Sequence, residues 1–151
     1  MEKIPKKISE FKEKVLDLRR VARVMAGGKR FRFRATIVLG NEKGSVGIGI
    51  GKGFDVAQSV EKAKANAKKN MMVVNLKNGT IPHEVDSKFS AARVLIKPAK
   101  KGNGLKAGGA VRTVLLLVGV KDATAKCLGG TKNKLTNAMA TIEALKKLKR
   151  S

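Results

Sequence analysis

Arg19, Arg20, Arg23, Lys29, Arg30, Arg32 and Arg34 fall within sixteen residues that hold no Asp or Glu. Six of the nine arginines lie there, although lysine is the commoner base elsewhere in the chain. Opposite charges normally intersperse on a solvated surface. A guanidinium is a planar fork of donors that matches phosphate oxygens. The chemistry this run suits is therefore phosphate binding. Gly27 and Gly28 divide the run, and glycine there allows a tight turn and a close backbone approach.

Other groups offer less. The run Gly47-Ile48-Gly49-Ile50-Gly51-Lys52-Gly53 has the look of a nucleotide loop. A P-loop needs a glycine five places before its Gly-Lys pair and a hydroxyl after it. Val46 and Gly53 occupy those places. The dinucleotide fingerprint fails as well, because Lys52 stands at its sixth position. General acid–base chemistry needs a positioned His or carboxylate. His83 is the single histidine and sits beside Pro82 in linker-like sequence, where a surface or capping role is expected. Cys127 is the single cysteine, so no internal disulfide forms, and a place in the core or a half-buried one is expected for it. With His83 as the one further soft ligand, a four-ligand zinc site is excluded. No catalytic residue, metal, cofactor or small-molecule substrate is expected. The loop 100–109 is more suggestive. It carries Gly102, Gly104, Gly108 and Gly109 and leads into an apolar helix, whose N-terminus would be a natural phosphate seat.

The chain has 151 residues and a formal net charge of +23, shared about equally between its two halves. One basic tail cannot account for that. Self-repulsion on this scale destabilises a compact fold unless a polyanion screens it. A membrane surface fits less well than nucleic acid. The longest apolar stretch, 114–120, is far short of the ~20 residues that span a bilayer. The charged segment 1–14 has no apolar signal region, and a cytoplasmic place is expected. Aromatic residues make up 3%, without Trp or Tyr. That speaks against base-stacking sheets and for a duplex or structured RNA read by shape and phosphate.

The elements that must position these groups follow from periodicity. Residues 28–39 alternate as a strand. Phe31, Phe33, Ala35, Ile37 and Leu39 share one face, expected to pack in the core, and Arg30, Arg32 and Arg34 share the other. Segment 15–25 fits either helix or strand; as a strand it would close a hairpin at Gly27-Gly28. Residues 45–51 alternate Val46, Ile48 and Ile50 with glycine, which leaves one face bare for a close neighbour. That neighbour is either a packed helix or an RNA backbone near Gly51 and Lys52. Residues 54–71 form a helix with Val56, Val60, Ala63, Ala67 and Met71 inward, and 73–76 a short strand. Asn78-Gly79 and Pro82 mark a domain boundary. Beyond it come a strand at 93–96 and a helix at 110–118 with Val111, Val114, Leu115 and Val118 inward. A turn and strand within 119–128 follow, then a final helix along Leu135, Ala138, Met139, Ile142, Leu145 and Leu148. That helix ends in Lys146, Lys147, Lys149 and Arg150, which suit its dipole.

The stretch GKRFRFRATIVLGNEKGSVGIG (28–49), followed by Ile50-Gly51-Lys52, closely resembles the signature of bacterial small-subunit ribosomal protein five. In the second half Arg93-Val94, Lys97-Pro98-Ala99, Ala107-Gly108-Gly109-Ala110-Val111-Arg112, Val118-Gly119-Val120 and Ala140-Thr141-Ile142 continue the likeness, which covers roughly 15–148. The resemblance implies an α+β protein of two small domains: an extension at 1–14, a double-stranded-RNA-binding-like βββα domain at 15–77, and a βαβα domain at 78–151. It implies that 15–25 is a strand and that the hairpin enters ribosomal RNA. It implies a structural constituent of the small ribosomal subunit that binds small-subunit ribosomal RNA. Such a protein lies near the path by which messenger RNA enters, touches small-subunit ribosomal proteins four and eight, and contributes to translational accuracy. The expected RNA-facing residues are Arg19, Arg20, Arg23, Gly27, Gly28, Lys29, Arg30, Arg32, Lys52, Lys106, Arg112 and Lys126. The chain departs from the family pattern at 129–134, where the usual Asn-Pro is missing, and at Met25-Ala26, where a basic residue is common. Competing readings are a free-standing duplex-RNA binder, which would be found off ribosomes, and a nucleotide-dependent enzyme, which would bind ATP through Lys52.

Overall fold

A computed structural model of the chain describes residues 10–149. Arg150 and most of the expected N-terminal extension lie outside the described residues. The first sheet is an antiparallel meander ordered β1 (Lys12–Met25), β2 (Gly28–Gly40), β3 (Ser45–Gly53) and β4 (Met72–Val73), with α1 (Val56–Lys69) between its last two strands. β1 reaches back to Lys12, so residues 12–14 belong to the sheet rather than to an extension. The second sheet is built from β5 (Val85–Phe89), β6 (Ala92–Pro98), β7 (Leu105–Lys106) and β8 (Ala123–Cys127), in the order β5-β6-β8-β7. Helix α2 (Gly109–Val118) connects β7 to β8, which run parallel, and α3 (Lys134–Lys146) closes the chain. A parallel pair requires such a crossover. The expected βββα and βαβα elements are all present; β5 and β7 are additional strands.

The glycine face of β3 is covered by α1. A side chain at Gly47 would meet the backbone of Ala67, one at Gly49 that of Ala63 and Ala67, and one at Gly51 that of Ser59 and Ala63. The helix turns three small residues, the fully buried Ser59, Ala63 and Ala67, to this face. The repeats match: four residues of helix rise about 6 Å and two residues of strand about 6.6 Å. So the close neighbour is protein, and the alternative of an RNA backbone against Gly51 is overturned. α1 begins after the N-cap Asp55, whose carboxylate accepts from the Gln58 amide at 2.7 Å, while Gln58 Oε1 accepts from the Phe54 amide at 2.9 Å. This reciprocal cap excludes Phe54 from the helix and leaves it 73% exposed.

β3 ends with Gly53 opposite Phe33. Beyond that point β1 and β2 run on as a two-stranded finger. Ala35, Ile37 and Leu39 pack on α1, but Phe31 stands past the last covering element and is 47% exposed. The expectation that Phe31 belongs to the core is corrected; periodicity assigns a face but not what lies under it.

The opposite face of the first sheet changes character along its length. At one end Val38, Val46 and Ile48 join the main core with Val111, Val114, Leu115 and Val118 of α2 and with Ile142 and Leu145 of α3. The two domains are further joined at the turn 41–44. Glu42 N–H donates to Leu117 O at 2.9 Å and Gly44 N–H to Val118 O at 2.7 Å. A helix leaves its last carbonyls unpaired, and here the other domain supplies their donors. Gly119 ends α2 at φ 107, and a Cβ there would strike the Glu42 carbonyl.

The loop before α2 turns its amides inward. Gly102 N–H and Gly104 N–H donate to Asp122 Oδ1 at 3.1 and 2.9 Å, and Asp122 is 8% exposed. These two glycine amides hold a carboxylate of the chain itself, not an external phosphate. Hydrogen bonds to a charged partner are worth about 1.5–3 kcal/mol. Asp122→Ala is expected to destabilise the chain by about that much, read as a lower thermal midpoint. Asp122→Asn, which keeps one acceptor oxygen, should lose less.

His83 is structural. Its Nε2 accepts from the Lys149 amide at 3.0 Å, and its Nδ1 lies 2.9 Å from Glu84 O, which fits a proton on Nδ1. The departing segment 129–134 still caps its helix, since Asn133 Oδ1 accepts from the Leu135 amide at 3.1 Å. Cys127 is half-buried, and burial pushes its thiol above the ordinary value, with Lys126 opposing.

Candidate nucleic-acid interface

The register of the finger decides which cations can act together. Arg19 faces Arg34, Val21 faces Arg32 and Arg23 faces Arg30 across β1 and β2, while Lys52 of β3 faces Arg34. Paired residues project to the same side. Arg19, Arg23, Arg30, Arg32, Arg34 and Lys52 therefore share one face, continuous with the apolar end that packs on α2. Arg23, Arg30, Arg32 and Lys52 line a hollow of about 360 Å³ together with Val21, Ala22 and Met25. Asp17 meets this group at one edge, 2.7 Å from Arg19 Nε. Like charges directly opposite each other are destabilising. A polyanion seated in the hollow would relieve that repulsion.

Arg20 and Lys29 stand on the other face, opposite Phe33 and Val24. The Arg20 guanidinium lies over the Phe31 ring, 3.8 Å from its centroid. On the first face Arg32 covers Phe54 at 4.9 Å. A low aromatic content thus coexists with two open rings, each beneath a guanidinium.

Ala26 and Gly27 form the turn, and the last cross-strand pair is Met25 with Gly28. Gly27 has φ 86 and Gly28 φ 151. Nothing lies within 4 Å of a Cβ built at either position. Backbone conformation, not crowding within the chain, requires glycine there.

Lys106, Arg112 and Lys126 do not join the finger. Lys106 on β7 is paired with Thr124, and Lys126 on β8 with Leu95, which puts both lysines on the outer face of the second sheet. Arg93 on the same face is held 2.8 Å from Asp86, and that hydrogen bond keeps the Asp86 carboxyl below its usual range. Arg112 on α2 donates to Leu105 O at 3.0 Å. Arg112 also borders a recess of about 570 Å³ beside Gly108 and Gly109, together with Lys14, Lys132 and Lys134. Sequence reasoning omitted Arg34 from the set, although the alternation that groups Arg30 with Arg32 includes it. Lys14, Lys132 and Lys134 come from distant segments, and no local signal unites them.

Among the described residues no group of three His, Cys, Asp or Glu could hold a metal ion, and no helix is long and apolar enough to cross a membrane.

Two family models cover most of the chain. Ribosomal protein S5, N-terminal domain, matches residues 11–75, and Ribosomal protein S5, C-terminal domain, matches residues 87–151. The chain is 50% identical over 139 residues to small ribosomal subunit protein uS5 of Thermotoga neapolitana, covering 92% of this chain and 78% of that protein. It is 48% identical to small ribosomal subunit protein uS5c of Cyanophora paradoxa, over 99% of this chain and 88% of that protein. The uS5 protein of Thermus thermophilus is 46% identical, over 93% and 86%. Both halves match in order and nearly end to end, and the chain belongs to the ribosomal protein S5 family.

Proposed function

We propose that this chain is a structural constituent of the small ribosomal subunit and holds small-subunit ribosomal RNA through its β1–β2 finger. The observation that supports this most directly is the face carrying Arg19, Arg23, Arg30, Arg32, Arg34 and Lys52, which among the described residues is met by one carboxylate, Asp17. Each guanidinium that neutralises a phosphate releases condensed cations, and this gives affinity without reading sequence. Lys106, Arg112 and Lys126 would add contacts from the second domain. The role is architectural rather than catalytic.

From the family resemblance we further propose a place beside the path by which messenger RNA enters, contact with small-subunit ribosomal proteins four and eight, and an influence on translational accuracy.

A cleavage reagent tethered at the finger tip tests the reading. Ala26→Cys in a Cys127→Ser background, loaded with an iron chelate and assembled into small subunits, is expected to cut ribosomal RNA in one compact neighbourhood. Scission from a chelate at Lys106→Cys but none from Ala26→Cys would remove the finger from the RNA.

A further inference from the structure

The two faces of the finger are chemically unlike. The Arg23–Arg30 face is a phosphate surface. The other carries Leu18, Ala22, Val24, Phe31 and Phe33 with two cations, Arg20 and Lys29, and among the described residues of the finger no carboxylate. Leu18 is 43% exposed, Val24 76% and Phe31 47%. The central carbon of the Arg20 guanidinium lies over the Phe31 ring, 3.8 Å from its centroid.

This surface restricts what can cover it. An apolar protein surface would strip water from Arg20 and Lys29 without pairing them, which is costly. A bare phosphate backbone would leave Leu18, Val24 and Phe31 without an apolar partner. An unpaired nucleotide answers both. Its base has a flat π face that stacks on aromatic rings and guanidinium planes. Its phosphate can meet Lys29, which stands two residues from Phe31 on the same side of β2, about 6.6 Å away along the strand.

We propose that Arg20 and Phe31 form a stacking platform for one unpaired base, in the order base, guanidinium, ring. The finger then neutralises phosphate with one face and captures a looped-out nucleotide with the other. This rests on the RNA-binding reading above and specifies which structural feature of the RNA the second face takes.

The test uses the full chain and two RNA probes. One is a perfect duplex. The other is the same duplex with a bulge of unpaired purines, one of them a fluorescent analogue whose emission falls on stacking. Arg20→Lys keeps the charge and removes the plane; Phe31→Leu keeps apolar bulk and removes the ring. Both positions lie outside the core, and unchanged circular-dichroism melts establish that the variants fold. The wild-type chain is expected to quench the analogue. Either substitution should abolish the quench and weaken binding to the bulged RNA by about five- to a hundredfold. Duplex affinity and the salt dependence should stay as they are. Equal loss on both probes, no loss on either, or an unquenched analogue with the wild-type chain overturns the platform. If the substitutions leave both RNAs bound but release a neighbouring protein from assembled subunits, the face belongs to a protein. If the wild-type chain binds neither probe nor small-subunit ribosomal RNA, the RNA-binding reading fails and the platform falls with it.

Discussion

Replacing Arg23, Arg30 and Arg32 together by alanine is expected to weaken binding to small-subunit ribosomal RNA on the order of a hundredfold at physiological salt. The plot of log affinity against log salt should flatten by about three, roughly one for each phosphate contact removed. These three line the hollow on the basic face, and Arg23 stands directly across from Arg30. The same substitution should leave folding intact or improve it, because it removes two like charges held opposite each other. Binding thus falls while stability does not, which a merely structural role would not produce. Two controls sharpen the result. Changing the three arginines to lysine should keep most of the slope but lose the bidentate fork. Changing Lys68 and Lys69 to alanine, both exposed in the last turn of α1 at the end of the sheet away from the finger, should barely alter the slope. Filter binding or fluorescence anisotropy across a salt series measures all four proteins. A triple alanine variant with an unaltered slope would take the hollow out of the binding surface.

Gly49→Val is expected to cost more than about 3 kcal/mol, at or above the upper end for overpacking a core. A Cβ at Gly49 would collide with the Ala63 carbonyl and the Ala67 amide. These are backbone atoms of a helix, so no rotamer change relieves the clash, and α1 must lift from the sheet. The thermal midpoint of a chain this size falls roughly 2–4 °C per kcal/mol. The variant should therefore melt at least several degrees lower, and less cooperatively if α1 detaches. Gly130→Ala is the matched control. Nothing lies within 4 Å of a Cβ there and its φ is ordinary, so its melt should be unchanged. A Gly49→Val chain that melts like wild type would mean that α1 does not press on β3.

Periodicity in the sequence assigns a side chain to a face; it does not say what lies against that face. The alternation through Arg30, Arg32 and Arg34 was legible for this reason, and the solvent beneath Phe31 was not, because where the covering helix stops depends on α1 and on the end of β3. The bare face of Gly47, Gly49 and Gly51 was legible as a close contact. Its occupant could be read only by matching the four-residue spacing of Ser59, Ala63 and Ala67 to the two-residue spacing of the glycines. Strand β5 escaped notice because its buried middle residue is Ser87 rather than an apolar one, and because Pro82 and His83 just before it resemble a linker. β7 is two residues long and exists through its pairing with β8. In the interface, adjacent positions in sequence such as Arg19 and Arg20 went to opposite faces, as a strand requires, and Lys52 joined the arginines through its partner Arg34.

β2 runs unbroken for 13 residues from the finger tip to the turn 41–44, where Glu42 and Gly44 grip the end of α2. At about 3.3 Å per residue this is a rod of roughly 40 Å. Its far end is clamped in the second domain, so sideways force on the tip is delivered as torque to the base of α2 rather than dissipated in a flexible neck. Whatever seizes the finger thereby sets the angle at which the remainder of the molecule must sit.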